Sequence, residues 1–190
     1  MVDSNTNARR LDARALIALA HPLRIQLRDH LRRHGPATAT QLARQLGESS
    51  GATSYHLRML ARHGFIEAEP GRGLGRERWW RAAPGWLQID AGESISDVAA
   101  REAVRTIEAE THRLASERLR TWLAESDRWS PSWRNGSTDS TFVARLDAPR
   151  MAALRDELTA VIARHVASES APEARSVEIQ LNIFPVGAPE

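Results

Sequence analysis

The sequence predicts a mainly α-helical fold with a small amount of β-structure, of the α+β class. Apolar residues recur every three or four positions between residues 11 and 62, which is typical of helices that bury one face. Residues 65–82 contain two short strand-like runs around a turn with three glycines. Residues 94–125 contain neither proline nor glycine, which predicts one helix of about 45 Å at about 1.5 Å per residue.

Composition is that of an ordinary globular protein and argues against several other classes. Of the 190 residues 42% are hydrophobic, and the sequence shows neither a membrane-spanning run nor a signal peptide. We therefore expect a cytoplasmic protein with no membrane partner. The absence of cysteine excludes disulfides and thiolate metal sites.

Charge is distributed unevenly along the chain. Residues 1–90 contain 14 Arg against 8 Asp and Glu, a difference of +6, whereas residues 91–190 contain 12 against 16, a difference of −4. A basic front half joined to an acidic rear half indicates a polyanion-binding domain followed by a region with another role.

Three short helices are predicted before residue 50. A polar tail, residues 1–10, precedes them and is expected to be disordered. The first two helices are separated next to Pro22, since proline is favourable as the first residue of a helix. Thr38 or Thr40 then caps the third helix, because a threonine hydroxyl accepts a hydrogen bond from a free N–H of the first turn.

The fourth helix, roughly residues 50–63 and capped by Ser49, has two contrasting faces. Thr53, Leu57 and Leu60 form an apolar stripe that is expected to hold the helix to the domain. The other face is small at its start and cationic towards its end: Ser50, Gly51, Ser54, Tyr55, Arg58 and Arg62. Small residues let the backbone approach DNA closely, and a helix N-terminus attracts phosphate.

The residue types on this second face are those that read DNA. Ser50, Ser54 and Tyr55 have hydroxyl groups that hydrogen-bond base edges in a major groove. Arg58 and Arg62 bind phosphates or guanine. The alternative is an amphipathic surface helix whose two arginines are merely solvated.

A cationic β-hairpin follows the fourth helix. Arg72 lies at its glycine-rich tip, and Arg76 and Arg78 lie on its second strand. Such a tip is suited to a narrow A·T-rich minor groove, where negative potential is concentrated. Short helix, tight turn, fourth helix and hairpin together predict a winged helix-turn-helix domain over residues 11–90.

The rear half divides into three parts. Residues 91–128 form the long helix, which exceeds what a 90-residue neighbour needs for its own core, so a second copy of the chain is its expected partner. Residues 129–140 are a linker by composition. Residues 141–190 predict a β-α-β unit for dimerisation or effector binding, with strands at 141–146 and 177–183 flanking a helix at 148–166.

Several segments together resemble the ArsR-type winged helix-turn-helix repressors over roughly residues 11–82. They are Ala20-His-Pro-Leu-Arg-Ile, Ala39-Thr-Gln-Leu-Ala, Ser54-Tyr-His-Leu-Arg-Met-Leu-Ala-Arg-His-Gly-Phe-Ile and Gly75-Arg-Glu-Arg-Trp-Trp. The resemblance implies a homodimer that binds double-stranded DNA with an affinity changed by an inducer. The DNA-reading positions of the family match Ser49, Ser50, Gly51, Ser54, Tyr55 and Arg58.

The metal-sensing patterns of that family are absent or incomplete. Its paired cysteines fall in the helix that corresponds to residues 38–46, and this chain has no cysteine. A second pattern of the family pairs an acidic residue and a histidine with a later histidine and acidic residue. Glu110-Thr-His112 matches its first half, but Leu123 stands where the second histidine belongs and Ser126 where its acidic partner belongs. We therefore predict no metal and no cofactor. The region after residue 90 resembles the extended C-terminal region of actinobacterial winged-helix regulators.

Tryptophans in the rear half indicate where a small organic effector would bind. Aromatic walls with a few polar groups are what such a ligand requires. The candidate effector residues are Trp86, Arg105, Glu108, His112, Trp122, Trp129 and Trp133. The alternative is that the tryptophans fill a dimer or inter-domain interface.

These features favour a sequence-specific transcriptional regulator, a homodimeric repressor acting on an inverted repeat of double-stranded DNA. Two alternatives stay open: a winged-helix module for protein–protein contact, and a DNA-binding protein regulated by a protein partner. An enzyme is disfavoured, because the sequence has no glycine-rich phosphate loop, no cysteine nucleophile and no serine in a nucleophile-elbow context.

Overall fold

The computed structural model describes residues 8–71, 77–88, 97–166 and 174–187. They separate into two compact units, one up to Arg118 and one from Leu119 onwards. No helix in the described ranges is both long and apolar enough to cross a lipid bilayer. The fold is mainly helical with a small antiparallel sheet, which confirms the predicted α+β class.

Most of the regular structure lies in the first unit. In chain order it contains β1 (Ala8–Arg10), α1 (Ala13–Leu19), α2 (Pro22–His34), β2 (Ala37–Thr38), α3 (Ala39–Leu46), α4 (Ser50–Arg62), β3 (Ile66–Ala68), β4 (Trp79–Ala82), β5 (Trp86–Gln88) and most of α5 (Val98–Glu125). The second unit contains the end of α5, then α6 (Pro131–Asn135) and α7 (Ala148–Val166).

Local capping accounts for the limits of the helices around α3. The Thr38 side chain accepts a hydrogen bond from the Gln41 N–H at 3.3 Å, and the Gln41 side chain accepts one from the Thr38 N–H at 2.9 Å. This reciprocal capping box makes Thr38, and not Thr40, the cap of α3. Gly47 ends the helix in the left-handed conformation, with a φ of 70°.

The apolar stripe of α4 is buried as predicted. Thr53, Leu57 and Leu60 are each 0% exposed. Leu57 and Leu60 join a core that includes Leu16, Leu27 and Phe65. Burying one leucine side chain contributes on the order of 2 kcal/mol, so this stripe fixes α4 to the unit and leaves its opposite face outside.

The sheet has the strand order β2–β4–β3, and all its pairs are antiparallel. We call β3, β4 and the turn between them the wing. Trp80 pairs with Ala37 and is buried, whereas Trp79 is only half-buried, because adjacent strand residues face opposite sides. The predicted tip residue Arg72 and the neighbouring Arg76 lie outside the described residues.

The prediction that residues 1–10 form a disordered tail is wrong for the last three of them. Ala8–Arg10 form β1, which pairs in parallel with β5 and places Arg9 opposite Leu87. Leu87 packs against the core, and the Arg9 side chain has backbone acceptors at the end of α4. These contacts come from sequence-distant residues, so the polar composition of the segment gave no sign of them.

The first part of α5 docks on its own domain. Ala100, Ala103, Val104 and Ile107 recur at helical spacing and enter the core. Further along, Glu110 accepts a hydrogen bond from the Gln26 side chain at 2.7 Å. The long helix therefore packs on its own domain through this face, and only its other surfaces remain for a second copy.

The second unit corrects the predicted β-α-β arrangement. Its central helix is present as α7, and the predicted linker contains the short helix α6. Residues 141–146 and 177–183, both described, form no strand. Val177, Ile179 and Leu181 are 67%, 56% and 40% exposed. Alternation marks a segment that is able to form a strand, but strand formation also depends on a second segment that pairs with its backbone.

Candidate nucleic-acid interface

The exposed face of α4 carries the predicted DNA-reading residues. Its N-terminus is capped by Ser49, whose hydroxyl accepts a hydrogen bond from the Ala52 N–H at 3.2 Å. The members of this face are Ser50, Gly51, Tyr55, Arg58 and Arg62, all exposed, and the half-buried Ser54. Nothing lies within 4 Å of where a Cβ on Gly51 would be, so the first turn is open to close approach.

A cleft of about 340 Å³ lies between the start of α3, the middle of α4 and the wing. We call it the α4 cleft. Its lining consists of Thr38, Ala39, Thr40, Ser54, Arg58, Glu77, Arg78 and Trp80. The predicted residues Ser54, Arg58 and Arg78 are thereby brought together from two elements that are separate in the sequence.

Five lining residues were not among the sequence candidates, and two of these five, Thr40 and Glu77, are polar and exposed. Thr40 lies in the first turn of α3, and Glu77 lies just before β4. The prediction that Thr38 or Thr40 caps α3 already pointed to Thr40 as a binding residue, because helix N-termini are common anion sites. Glu77 had no comparable signal, since a single acid on a basic hairpin is usually solvated.

The cleft and its rim are cationic. Among the described residues, Arg58 and Arg62 have no carboxylate within ion-pair distance. Arg78 places its Cζ 4.4 Å from the ring centroid of Trp80, a cation–π contact that orients the guanidinium along the wing. Guanidinium groups without internal partners are available to a polyanion such as DNA.

Behind Tyr55, two histidines join α4 to the start of α2. The rings of His21 and His56 lie 4.4 Å apart, and Tyr55 meets His56 edge-on at 5.2 Å. His21 Nδ1 accepts a hydrogen bond from the Leu23 N–H at 3.2 Å and so caps α2. Burial lowers the pKa of both histidines, and the nearby Arg24 lowers the pKa of each further.

Three of the predicted effector tryptophans form a cluster in the second unit. The ring centroids of Trp122 and Trp129 are 5.6 Å apart, and those of Trp129 and Trp133 are 6.2 Å apart. Arg175 places its Cζ 5.5 Å from the ring centroid of Trp129. We call these three rings the tryptophan cluster.

The other effector candidates lie in the first unit. Arg105, Glu108 and His112 are exposed on α5, and Arg105 pairs with Glu102 at 3.4 Å. Trp86 belongs to β5, and its side chain lies outside the described part of the structure.

A family model described as a helix-turn-helix domain matches residues 19–69. This range contains α2, α3, α4 and the first wing strand, β3. No curated protein matches the chain.

Several solved structures are similar to the chain. One is the homodimeric winged helix-turn-helix DNA-binding domain of a possible ArsR-family transcriptional regulator from Mycobacterium bovis, 26% identical over 56% of this chain and 81% of that one, with a TM-score of 0.33. ZitR from Lactococcus lactis, as a mutant in its apo form, is 14% identical over 73% of this chain and 83% of its own, with a TM-score of 0.34. RV1404 from Mycobacterium tuberculosis is 16% identical over 76% of this chain and 82% of its own, with a TM-score of 0.33.

Proposed function

We propose that the protein is a homodimeric repressor of the ArsR type, which binds an inverted repeat in double-stranded DNA through the helix-turn-helix domain of residues 19–69. The observation that carries the proposal is the exposed face of α4. It combines small residues at the helix start, hydroxyl groups in the middle and arginines without carboxylate partners in the described structure. A module for protein contact alone has no need of this cationic face.

In this proposal α4 is the recognition helix and enters a major groove. Its open first turn around Gly51 approaches the DNA backbone, and free N–H groups there point towards phosphate. Ser50, Ser54 and Tyr55 hydrogen-bond base edges. Arg58 and Arg62 bind phosphates or guanine, since guanidinium is bidentate towards both.

The α4 cleft extends this contact from the helix to the wing. Its lining includes Thr40, Arg58 and Arg78, whose side chains are donors suited to a DNA phosphate. The carboxylate of Glu77 repels phosphate from its own side of the cleft, so the backbone is directed towards the two arginines. Arg72 and Arg76 of the wing remain DNA-binding candidates and are predicted to follow the adjacent minor groove.

Dimerisation and repression complete the proposal. A dimer presents two recognition helices to successive major grooves about 34 Å apart, which matches the two halves of an inverted repeat. Occupation of a promoter by such a dimer excludes RNA polymerase. The chain contains no cysteine, so a thiolate metal sensor is not part of the proposal, and the protein acts in the cytoplasm with the DNA.

The experiment that tests this function is capture of sheared genomic DNA by the purified protein at near-physiological salt, followed by sequencing. We expect a few promoter fragments that share an inverted repeat. The double variant Arg58→Ala/Arg62→Ala should lose this enrichment, and Arg164→Ala on α7 is the control. Retention without sequence preference contradicts a specific regulator. No retention by the wild type favours the protein-interaction module.

A small organic effector is the second part of the proposed regulation, and the tryptophan cluster supports it. The cluster offers aromatic surface beside the guanidinium of Arg175. Titration with a panel of hydrophobic compounds should change the tryptophan emission for at least one of them, and Trp133→Phe should weaken that response. No change across a broad panel argues instead for regulation through a protein partner.

A further inference from the structure

One side chain of the N-terminal strand contacts the end of the recognition helix. Arg9, the central residue of β1, donates from Nη1 to the carbonyl oxygen of Gly64 at 2.7 Å and from Nη2 to that of His63 at 2.8 Å. Its Cζ also lies 5.1 Å from the ring centroid of Phe65, a buried core residue. A single guanidinium therefore contacts three consecutive residues directly after α4.

The two carbonyl groups belong to the C-cap His63 and to the next residue, Gly64, so they lie at the negative end of the α4 dipole. The last carbonyls of a helix lack intrahelical partners and carry the negative end of its dipole. α4 ends at Arg62, and the chain turns at Gly64 with a φ of +66°. A Cβ on Gly64 would lie 3.1 Å from Arg9 Nη1, so this glycine also permits the close approach. The planar fork of arginine matches two adjacent oxygens, whereas lysine is a point charge.

The backbone of Arg9 is held by the pairing of β1 with β5. β1 forms a parallel ladder with β5, with Arg9 opposite Leu87, and Leu87 packs against the core. The ladder and the Arg9 side chain together therefore join the end of α4 to β5.

We propose that Arg9 is a positioning residue for DNA reading. It holds the C-terminal end of α4 to the β1–β5 ladder and thereby sets the direction in which α4 presents Ser54, Tyr55 and Arg58. Its guanidinium is directed at the carbonyl groups of His63 and Gly64 and so does not serve as a phosphate contact. The role in DNA reading rests on the proposed function, whereas the clamp on α4 can be measured without DNA.

The clamp is tested by amide hydrogen exchange of the free protein. In Arg9→Ala, the amides of His63, Gly64 and Phe65 should exchange about fivefold faster, because the segment directly after α4 loses two charge-assisted hydrogen bonds. Arg14→Ala, which removes an exposed arginine from α1, is the control and should leave these rates unchanged. Unchanged rates in Arg9→Ala overturn the proposal, whether or not the protein binds DNA.

A DNA-binding experiment distinguishes positioning from direct phosphate binding. It uses a DNA fragment captured by the wild-type protein. A positioning role predicts that Arg9→Ala weakens binding to this fragment more than to random DNA, with an unchanged dependence on salt, and that Arg9→Lys rescues little. Equal weakening for all sequences, a salt slope lower by about one and rescue by lysine would show a phosphate contact and overturn the proposal. If the wild type binds no DNA, the proposed function fails while the exchange result still decides the clamp.

Discussion

Arg58 lies one helical turn after Ser54 on the exposed face of α4, where it lines the α4 cleft. It forms no ion pair with a carboxylate of the described residues, which makes it the clearest candidate for a phosphate contact. We expect Arg58→Ala to weaken binding to all DNA sequences and to lower the salt slope of log K by about one. Arg164→Ala removes the same charge from α7 and should change neither. An unchanged slope for Arg58→Ala would remove this residue from the phosphate contacts.

For Tyr55 we expect a different role, in which the ring packs within the protein and the hydroxyl group contacts a base. The ring packs edge-on against His56, and the side chain is 53% exposed. Tyr55→Phe retains the ring and removes only the hydroxyl group. We expect discrimination between operator variants to fall by about 1–3 kcal/mol at one base position, with non-specific affinity and the salt slope unchanged. An unaltered preference in a binding-site selection would place the hydroxyl group away from the bases.

At the scale of elements, the contact between α2 and α4 depends on neutral imidazoles. Burial is the main cause that lowers the pKa of His21 and His56, and Arg24 adds to it while Glu48 opposes it. His56 Nδ1 is buried without a hydrogen-bond partner in the described structure, so protonation there has no nearby acceptor. Since the unfolded chain binds these protons at about pH 6.5, their contribution to stability is complete above that pH and is lost as the pH falls below it.

This dependence is measurable from urea unfolding midpoints at pH 7.5 and 5.5. The urea midpoint of the wild type should be lower at pH 5.5 than at pH 7.5. The double variant His21→Asn/His56→Gln should show a smaller decrease, because it lacks both imidazoles. Asparagine is chosen at position 21 because it still caps α2. Burial lowers the pKa of His30 too, beside His34, so His30→Gln should also reduce the fall, and comparison with the double variant gives the share that belongs to the contact between α2 and α4. An equal fall in the double variant and the wild type would show that other groups carry the acid sensitivity.

The docking of α5 shows how charge and packing act together within one element. Further along α5 than the buried alanines, Glu110 accepts hydrogen bonds from the side chains of Gln26 and Arg113. The hydrogen bond from Arg113 is the main cause that lowers the pKa of the Glu110 carboxyl. The Asp29 carboxylate of α2 forms an ion pair with Arg118, with 3.1 Å between Oδ2 and Nη1. The helix is therefore held to α2 by polar contacts on the same side as its buried residues.

At the scale of the whole molecule, several apolar residues remain uncovered in the single chain. Among the described residues of the second unit none is buried, and Leu154, Leu158 and Val161 of α7 are 37%, 36% and 42% exposed. Exposed apolar patches of this kind mark interaction sites. We expect sedimentation equilibrium at micromolar concentration to give twice the chain mass of 21.1 kDa, and footprints to show two half-sites about 34 Å apart. A monomer at that concentration would contradict the homodimer.

The sequence by itself determined the helices and the two faces of α4. Caps such as Ser49 and Thr38 act within three residues, and the stripe of Thr53, Leu57 and Leu60 repeats with the period of the helix, so both are local in origin. The same locality explains why α7 was predicted correctly. It also explains the error at residues 177–183, where alternation indicated a strand but pairing depends on another segment.

Only the tertiary structure decided which distant residues meet. The α4 cleft brings Thr40 and Glu77 to Arg58, and the pairing of β1 with β5 places Arg9 beside Gly64, 55 residues away in the chain. The contact between His21 and His56 has the same origin. Local patterns do not encode such contacts, because they depend on the angles at which packed elements cross and on side chains that become neighbours only when the core closes.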